Sequence, residues 1–211
     1  MSSAIIFDNY KTWLDEQKLP KGQKKALLAG LDLFAKQGFN GTSTAQIAEK
    51  AEISQATIFK YFKTKQDLLM GILKPVFINL FPVFRDSFID ELRQFTDLED
   101  MVRFFVYNRY QFVRDNEDAI LILITELLTN RDIRDLFFGV INEPGKSVIE
   151  NVRENLNKTG QLRPELDFPA VMRIIIGQIF IYFIQHRFIG NSNETQDLNL
   201  IVEQIIRAIK K

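Results

Sequence analysis

A chain of 211 residues with 46% hydrophobic and 26% charged side chains is globular, and is long enough for one large domain or a small domain joined to a larger one. It has no cysteine, which excludes disulfides, thiolate zinc sites and a cysteine nucleophile and fits a reducing cytoplasm. Its single histidine, His186, leaves no multi-histidine metal site and no ready Ser–His triad, so neither metal nor cofactor is expected. The net charge is zero but unevenly spread: residues 18–65 hold nine basic and three acidic side chains, an excess of six positive charges that the rest of the chain balances. Such a segment suits a polyanion, although a charge run by itself is more often a solvated face.

The N-terminus lacks the cationic region of a secretory signal, and its short apolar run stops at Asp8. Within an arm over 1–19, Ile6, Tyr10, Trp13 and Gln17 share one face of a short helix. Pro20 and Gly22 set this arm apart. Leu27, Leu31 and Phe34 then form the inner stripe of a helix over 23–37, which Gly38 ends. Ser43 with Gln46 reads as a capping box that opens a second helix, ending near Ala51. Ser54 caps a third, with Ile53 and Ile58 at staple spacing, and Thr64 with Asp67 opens a fourth. Two very short helices joined by a tight turn have the spacing of a helix-turn-helix. The fourth helix is long and contains Gly71, Pro75 and Pro82, so kinks or a break are expected there. Beyond it, Thr96 with Glu99 reads as a capping box for a helix to about Arg114. Helices over 117–129 and 131–157 follow, then a loop over 157–166, and last helices over 168–188 and 195–210. No strand pattern exceeds a few residues, so the fold class is all-α. The longest apolar run, Ile174 to Ile184, is too short to span a bilayer, and no membrane partner is expected.

On a helical wheel, Ile58 and Phe62 of the third helix point inward. Lys60 lies opposite with Ala56 and Thr57 beside it, Phe59 and Tyr61 fall on the flanks, and Gln55 projects from the first turn. Gln can read adenine edges and apolar groups can touch thymine methyls. Thr57, Tyr61 and Lys65 are of the right type for phosphates, as are the free N–H groups at the helix starts after Ser43 and Ser54. Spacing alone leaves an ordinary packed helix equally open. The longer stretch "TSTAQIAEKAEISQATIFKYFKTKQDLL", with the preceding Gly38-Phe39 step, resembles the helix-turn-helix of the TetR family of bacterial transcriptional regulators over about Pro20 to Leu73. The resemblance implies that Ser43, Thr44, Thr57, Tyr61 and Lys65 contact phosphates. It implies that Gln55, Ala56, Phe59 and Lys60 face base edges. Two departures stand out. Glu52 occupies a turn position usually held by glycine, and Ala45 replaces a base-contacting arginine found in some members.

The family further implies a homodimer on palindromic double-stranded operator DNA, and a C-terminal half that dimerises and binds a small amphipathic or hydrophobic ligand. The expected division is an arm over 1–19, a DNA-binding domain over 20–66 and a ligand-binding and dimerisation domain over 67–211. Fourteen of the nineteen phenylalanines lie after residue 66. In that half Arg109 interrupts an apolar face containing Met101, Phe105 and Phe112, and Glu126 lies within "ILILITELLT". These two charges either pair with each other, reach solvent, or line a ligand cavity with their neighbours. The last two helices, with Gly177, Phe180, Ile184, Phe188, Ile201 and Ile205, are the candidates for a four-helix bundle across a two-fold axis. The expected function is ligand-relieved repression in the cytoplasm. An activator, or a regulator without an inducer, satisfies the same residues. An enzyme is disfavoured, since no phosphate loop, HExxH or triad is present.

Overall fold

The computed structural model describes residues 5–142, 146–190 and 193–211. Among these residues the secondary structure is helical, apart from one isolated bridge between Leu162 and Lys210. Helix α1 (Ile6–Glu16) is followed by α2 (Lys21–Gln37), α3 (Thr44–Lys50), α4 (Gln55–Tyr61) and α5 (Lys65–Pro75). A π-helical turn, Val76–Leu80, leads into α6 (Phe81–Leu92). Then come α7 (Leu98–Asp115), α8 (Glu117–Thr129), α9 (Arg131–Asn142), α10 (Lys146–Lys158), α11 (Phe168–Ile189) and α12 (Glu194–Ile209).

The chain forms two compact units. One comprises Met1–Val83 and Asn116–Asn142, the other Phe84–Asp115 and Glu143–Lys211. In the first, α2 packs on α1, α3, α4, α5 and α8. Its core includes Leu27, Leu31, Phe34, Ile47, Ile58, Leu68 and Ile72, all nearly fully buried. Each such side chain contributes about 1.5–3 kcal/mol of hydrophobic stabilisation. The approach of α2 to α5 is close enough that a Cβ at Gly30 would clash with Leu68 Cδ2, so a side chain there would have to displace the end of the Leu68 side chain. In the second unit α7, α11 and α12 pack on one another, with Leu98, Val106, Ile175, Val202 and Ile205 inside.

Three local expectations need correction. Thr96 does not cap α7. The cap is Asp97, whose Oδ1 accepts from the backbone N–H of Glu99 at 2.8 Å and of Asp100 at 3.3 Å. Asp, one residue nearer the helix, has the same geometry without needing the Thr96–Glu99 reciprocal pair. The single helix read over 131–157 is two, α9 and α10. The poorest helix formers of the stretch, Pro144 and Gly145, fall between them and lie outside the described residues. The apolar run 174–184 sits within a 22-residue helix, so the argument from its shortness fails. By length and composition, Lys65–Leu92 and Phe168–Ile189 are both long and apolar enough to cross a membrane.

The expected irregularity in the fourth helix is present and has a clear cause. Pro75 has no N–H to give to the carbonyl of Gly71, four residues back, and the π-helical turn starts immediately after it. The Tyr10 hydroxyl of the N-terminal arm supplies the missing donor, at 3.3 Å from the Gly71 oxygen. Helix α1 packs on α2 and the π-helical turn with Ile6, Tyr10 and Leu14 buried, and the Ile6 N–H donates to Asn116 Oδ1 at 2.6 Å. The arm is therefore an integral part of the first unit.

Candidate nucleic-acid interface

Three caps set the geometry of the helix-turn-helix, where the sequence places them. Ser43 Oγ accepts from the Gln46 N–H at 3.2 Å and the Gln46 side chain returns the bond to the Ser43 N–H at 2.8 Å, a complete capping box. Ser54 Oγ accepts from the Thr57 N–H at 3.1 Å and lies 2.9 Å from the Thr57 hydroxyl. Thr64 and Asp67 form a second complete box. Because these caps take the N–H groups of the third helical residues, the N–H groups of Thr44 and Ala45 on α3, and of Gln55 and Ala56 on α4, are left pointing outward without helical partners.

The turn between α3 and α4 is closed by backbone bonds from Glu52 N–H to Glu49 O and from Ile53 N–H to Ala48 O, both 3.0 Å. Glu52 has φ +52°, making it the one non-glycine residue in the left-handed region among those described. The turn thus keeps the geometry that glycine normally serves, and Glu52 bears the strain. Its carboxylate lies 3.4 Å from Lys25 Nζ.

Exposure divides α4 along its length. Ile58 and Phe62 are 1% and 6% exposed and hold the helix to its unit, whereas Gln55, Ala56, Phe59 and Lys60 are exposed and share one face. Phe59 is 46% exposed, an unusual position for so large an apolar ring. Thr57 and Tyr61 are half-buried at the edge of this face, with Thr44 half-buried and Ser43, Ala45 and Ser54 exposed nearby in the chain. Lys60 Nζ sits 5.6 Å from the centre of the Tyr61 ring.

Lys65 has a task that the sequence does not announce. Its ammonium donates to the carbonyls of Phe39 at 2.7 Å and Thr42 at 2.8 Å, and lies 4.2 Å from the centre of the Phe39 ring. Two of its three protons thus pin the turn before α3, leaving one for a phosphate. Thr42, 2% exposed, helps from inside through a 2.8 Å bond from its hydroxyl to the Gly38 carbonyl. No local pattern marks this role of Lys65, because both of its bonds span more than twenty residues. Asp32 also ties α2 to α3. Its carboxyl is held below its ordinary value chiefly by a hydrogen bond from Lys50, with Lys36 adding to this and burial opposing it. Lys18, Lys21, Lys60 and Lys63 are exposed, with no carboxylate partner among the described residues.

The polar intrusions of the C-terminal half find separate environments. In the second unit Met101 and Phe105 are buried. The Arg109 guanidinium lies 4.1 Å from the centre of the Phe88 ring and 5.0 Å from that of Phe112, and Arg109 Nε donates to Asn108 Oδ1 at 3.0 Å. Burial pushes this guanidinium down to about 10, against a smaller upward effect of Glu91. Glu126 belongs to the first unit and is 2% exposed. It accepts from Asn130 Nδ2 at 3.0 Å, while Asn130 Oδ1 accepts from the N–H groups of Asp132 and Ile133 at the start of α9. Glu126 thus orients the residue that caps the next helix. Each charge has partners inside its own unit.

Among the candidates for self-association, Ile201 and Ile205 turn inward and are 6% and 0% exposed. The clean apolar stripe of α12 is buried within its own unit, which removes these two from any outer surface. Gly177, Phe180 and Ile184 are half-buried and Phe188 is 71% exposed. Ile176, Ile181 and Ile189 of α11 and Leu200 of α12 add exposed apolar surface that the periodicity did not single out.

Residues 26–72 match the model of bacterial regulatory proteins of the tetR family. An uncharacterised HTH-type transcriptional regulator of Bacillus subtilis, YvkB, is 48% identical over 50 residues, which cover 24% of this chain but only 26% of that relative. The fatty acid degradation regulator FadR of Bacillus halodurans has a similar fold, with a TM-score of 0.64 at 19% identity over 90% of this chain and 97% of that one. So does FadR of Bacillus subtilis, a structure in complex with stearoyl-CoA, with a TM-score of 0.62 at 16% identity over 86% and 96% of the two chains.

Proposed function

We propose that this chain, which belongs to the TetR family of bacterial transcriptional regulators, is a cytoplasmic repressor that binds a palindromic operator as a homodimer and leaves it when a small amphipathic ligand binds. The observation that carries the DNA-binding part is the exposed face of Gln55, Ala56, Phe59 and Lys60, presented by a helix whose other side is committed to the core. Gln55 offers a bidentate amide to an adenine edge. Ser43, Thr44, Ser54, Thr57 and Tyr61 border this face with hydroxyls for phosphates, the N–H groups of Thr44, Ala45, Gln55 and Ala56 add donors, and Lys65 keeps one ammonium proton available. The four unpaired lysines add the sequence-independent attraction.

The ligand part is supported by Arg109, a half-buried cation between two phenylalanine rings with no carboxylate bonded to it among the described residues. Such a group suits the anionic end of a ligand whose apolar remainder lies along Met101, Phe105 and Phe112. The likeness to a FadR structure that holds stearoyl-CoA makes long-chain acyl-CoA the first ligand to try. The self-association part is supported by the exposed apolar residues of α11. Functionally the chain divides into an arm over 1–19, the DNA-binding segment 20–66 and the ligand-binding and dimerisation segment 67–211.

The test is a mobility-shift titration of the full chain on operator and random DNA. If a dimer neutralises about eight phosphates, the logarithm of affinity falls with the logarithm of salt with a slope of about −7. Lys65→Ala should weaken both DNAs alike, and Gln55→Ala should narrow the gap between them. Equal binding by both variants and the unsubstituted chain would overturn the assignment. For the ligand, acyl-CoA should release operator from the unsubstituted chain but not from Arg109→Met.

A further inference from the structure

The reading face described above carries a single group, Lys60, that can select a G·C pair. Residues 1–84 contain no arginine; the first in the chain is Arg85. Guanine is read most often by a guanidinium or ammonium bonded to its N7 and O6, and cytosine by a carboxylate accepting from its N4. On α4 the single cation among the four outward residues is Lys60, and the nearest carboxylate in the chain, Glu52, is turned to Lys25. Ala45, exposed on α3, is too short to read a base by a hydrogen bond. What remains is one amide, one methyl and one phenyl ring. Gln55 matches the N6 donor and N7 acceptor of adenine. Ala56 and the 46%-exposed Phe59 match the C5 methyl of thymine. Phe59 is also the one large apolar side chain of α4 that the core does not use.

Resting on the DNA-binding reading above, we infer that the operator half-site of this protein is an A·T element recognised mainly through thymine methyl groups, with Phe59 as the specificity-determining residue. At most one G·C pair is contacted, opposite Lys60.

The experiment selects binding sites for the full chain from a pool of random double-stranded DNA, then replaces each contacted thymine of the selected site with uracil. Uracil keeps every hydrogen-bonding group and lacks only the methyl. Selection should return half-sites whose contacted positions are A·T with one G·C at most. Each methyl facing Phe59 or Ala56 should cost about four-fold in affinity when removed. Phe59→Ala, a change at an exposed position, should lose the discrimination between thymine and uracil at the position facing Phe59 and keep it at one facing Ala56, whereas Gln55→Ala should keep both. Half-sites with two or more contacted G·C pairs, or thymine and uracil sites bound equally by the unsubstituted chain, overturn the inference and leave DNA binding intact. Replacing contacted A·T by inosine·cytosine preserves the minor-groove edge; undiminished binding there would make groove shape the readout and also overturn it. Failure to retain any DNA at low salt removes the DNA-binding reading itself, and the inference with it.

Discussion

Glu52 and Lys65 show how single residues fix the geometry of the helix-turn-helix. A non-glycine residue at φ +52° carries about 1–2 kcal/mol of local strain, and glycine would relieve it while gaining about 0.5–1 kcal/mol of unfolded-state freedom. The Lys25 pair lost with the carboxylate is mostly solvent-exposed and worth little. Glu52→Gly is therefore expected to leave stability within about 1 kcal/mol of the unsubstituted chain, on the stabilising side, as measured by urea denaturation; a clear destabilisation contradicts the strain argument. Lys65 differs from the hydroxyl-bearing phosphate candidates because the bonds of its ammonium, to Phe39 and Thr42, span more than twenty residues. Hydrogen bonds to charged groups contribute about 1.5–3 kcal/mol. Lys65→Ala should thus lower thermal stability as well as DNA affinity, and an unchanged melting temperature would show that the two carbonyls do not depend on it. The caps at Ser43, Ser54 and Thr64 are legible in the sequence because a cap and its target lie within three residues. The Lys65 bonds are not, since loop closure across the whole helix-turn-helix brings those partners together.

At the scale of elements, the N-terminal arm and the coupling of α2 to α3 decide how rigid the first unit is. Pro75 and Tyr10 complement each other, one withholding a donor from the Gly71 carbonyl and the other supplying it. Tyr10→Phe keeps the ring packing and removes only the hydroxyl, so the expected loss is about 1 kcal/mol. Hydrogen exchange should rise in 71–80 more than in α3 or α4, and a uniform change would argue against a local role. Asp32 provides a pH handle on the α2–α3 contact. Its carboxyl is depressed in the fold, so its contribution is present above its ordinary value of 3.8 and is lost as pH falls through the lower folded value. For this partly exposed pair the magnitude is below about 1 kcal/mol. Asp32→Asn should therefore be slightly destabilised near pH 7 and indistinguishable from the unsubstituted chain near pH 2. The helical face of the arm is legible in Ile6 and Tyr10, but the sequence reading continues it through Trp13 and Gln17, which are half-buried, where Leu14 is the buried residue, and its packing place is not legible, since any apolar groove would accept it.

Across the whole molecule, the unassigned apolar surface of α11 is the feature that calls for a partner. Ile181 and Phe188 are 62% and 71% exposed, and large apolar side chains clustered in this way mark interaction surfaces. With a second copy as that partner, Ile181→Glu should give a monomer by sedimentation and weaken operator binding at least ten-fold, since each head would then bind alone. A dimer that persists would move the interface elsewhere. By itself the sequence determined the all-α class, the three capped starts and the two faces of α4. Each depends on residues within one or two helical turns, where dihedral preference and side-chain period act directly. The tertiary structure alone decided that Lys65 pins the carbonyls of Phe39 and Thr42, that Ile201 and Ile205 face inward while Ile181 faces out, and that Tyr10 completes the helix broken by Pro75. Those outcomes depend on which of several equally apolar or polar surfaces meet, and helical periodicity carries no information about the partner of a face.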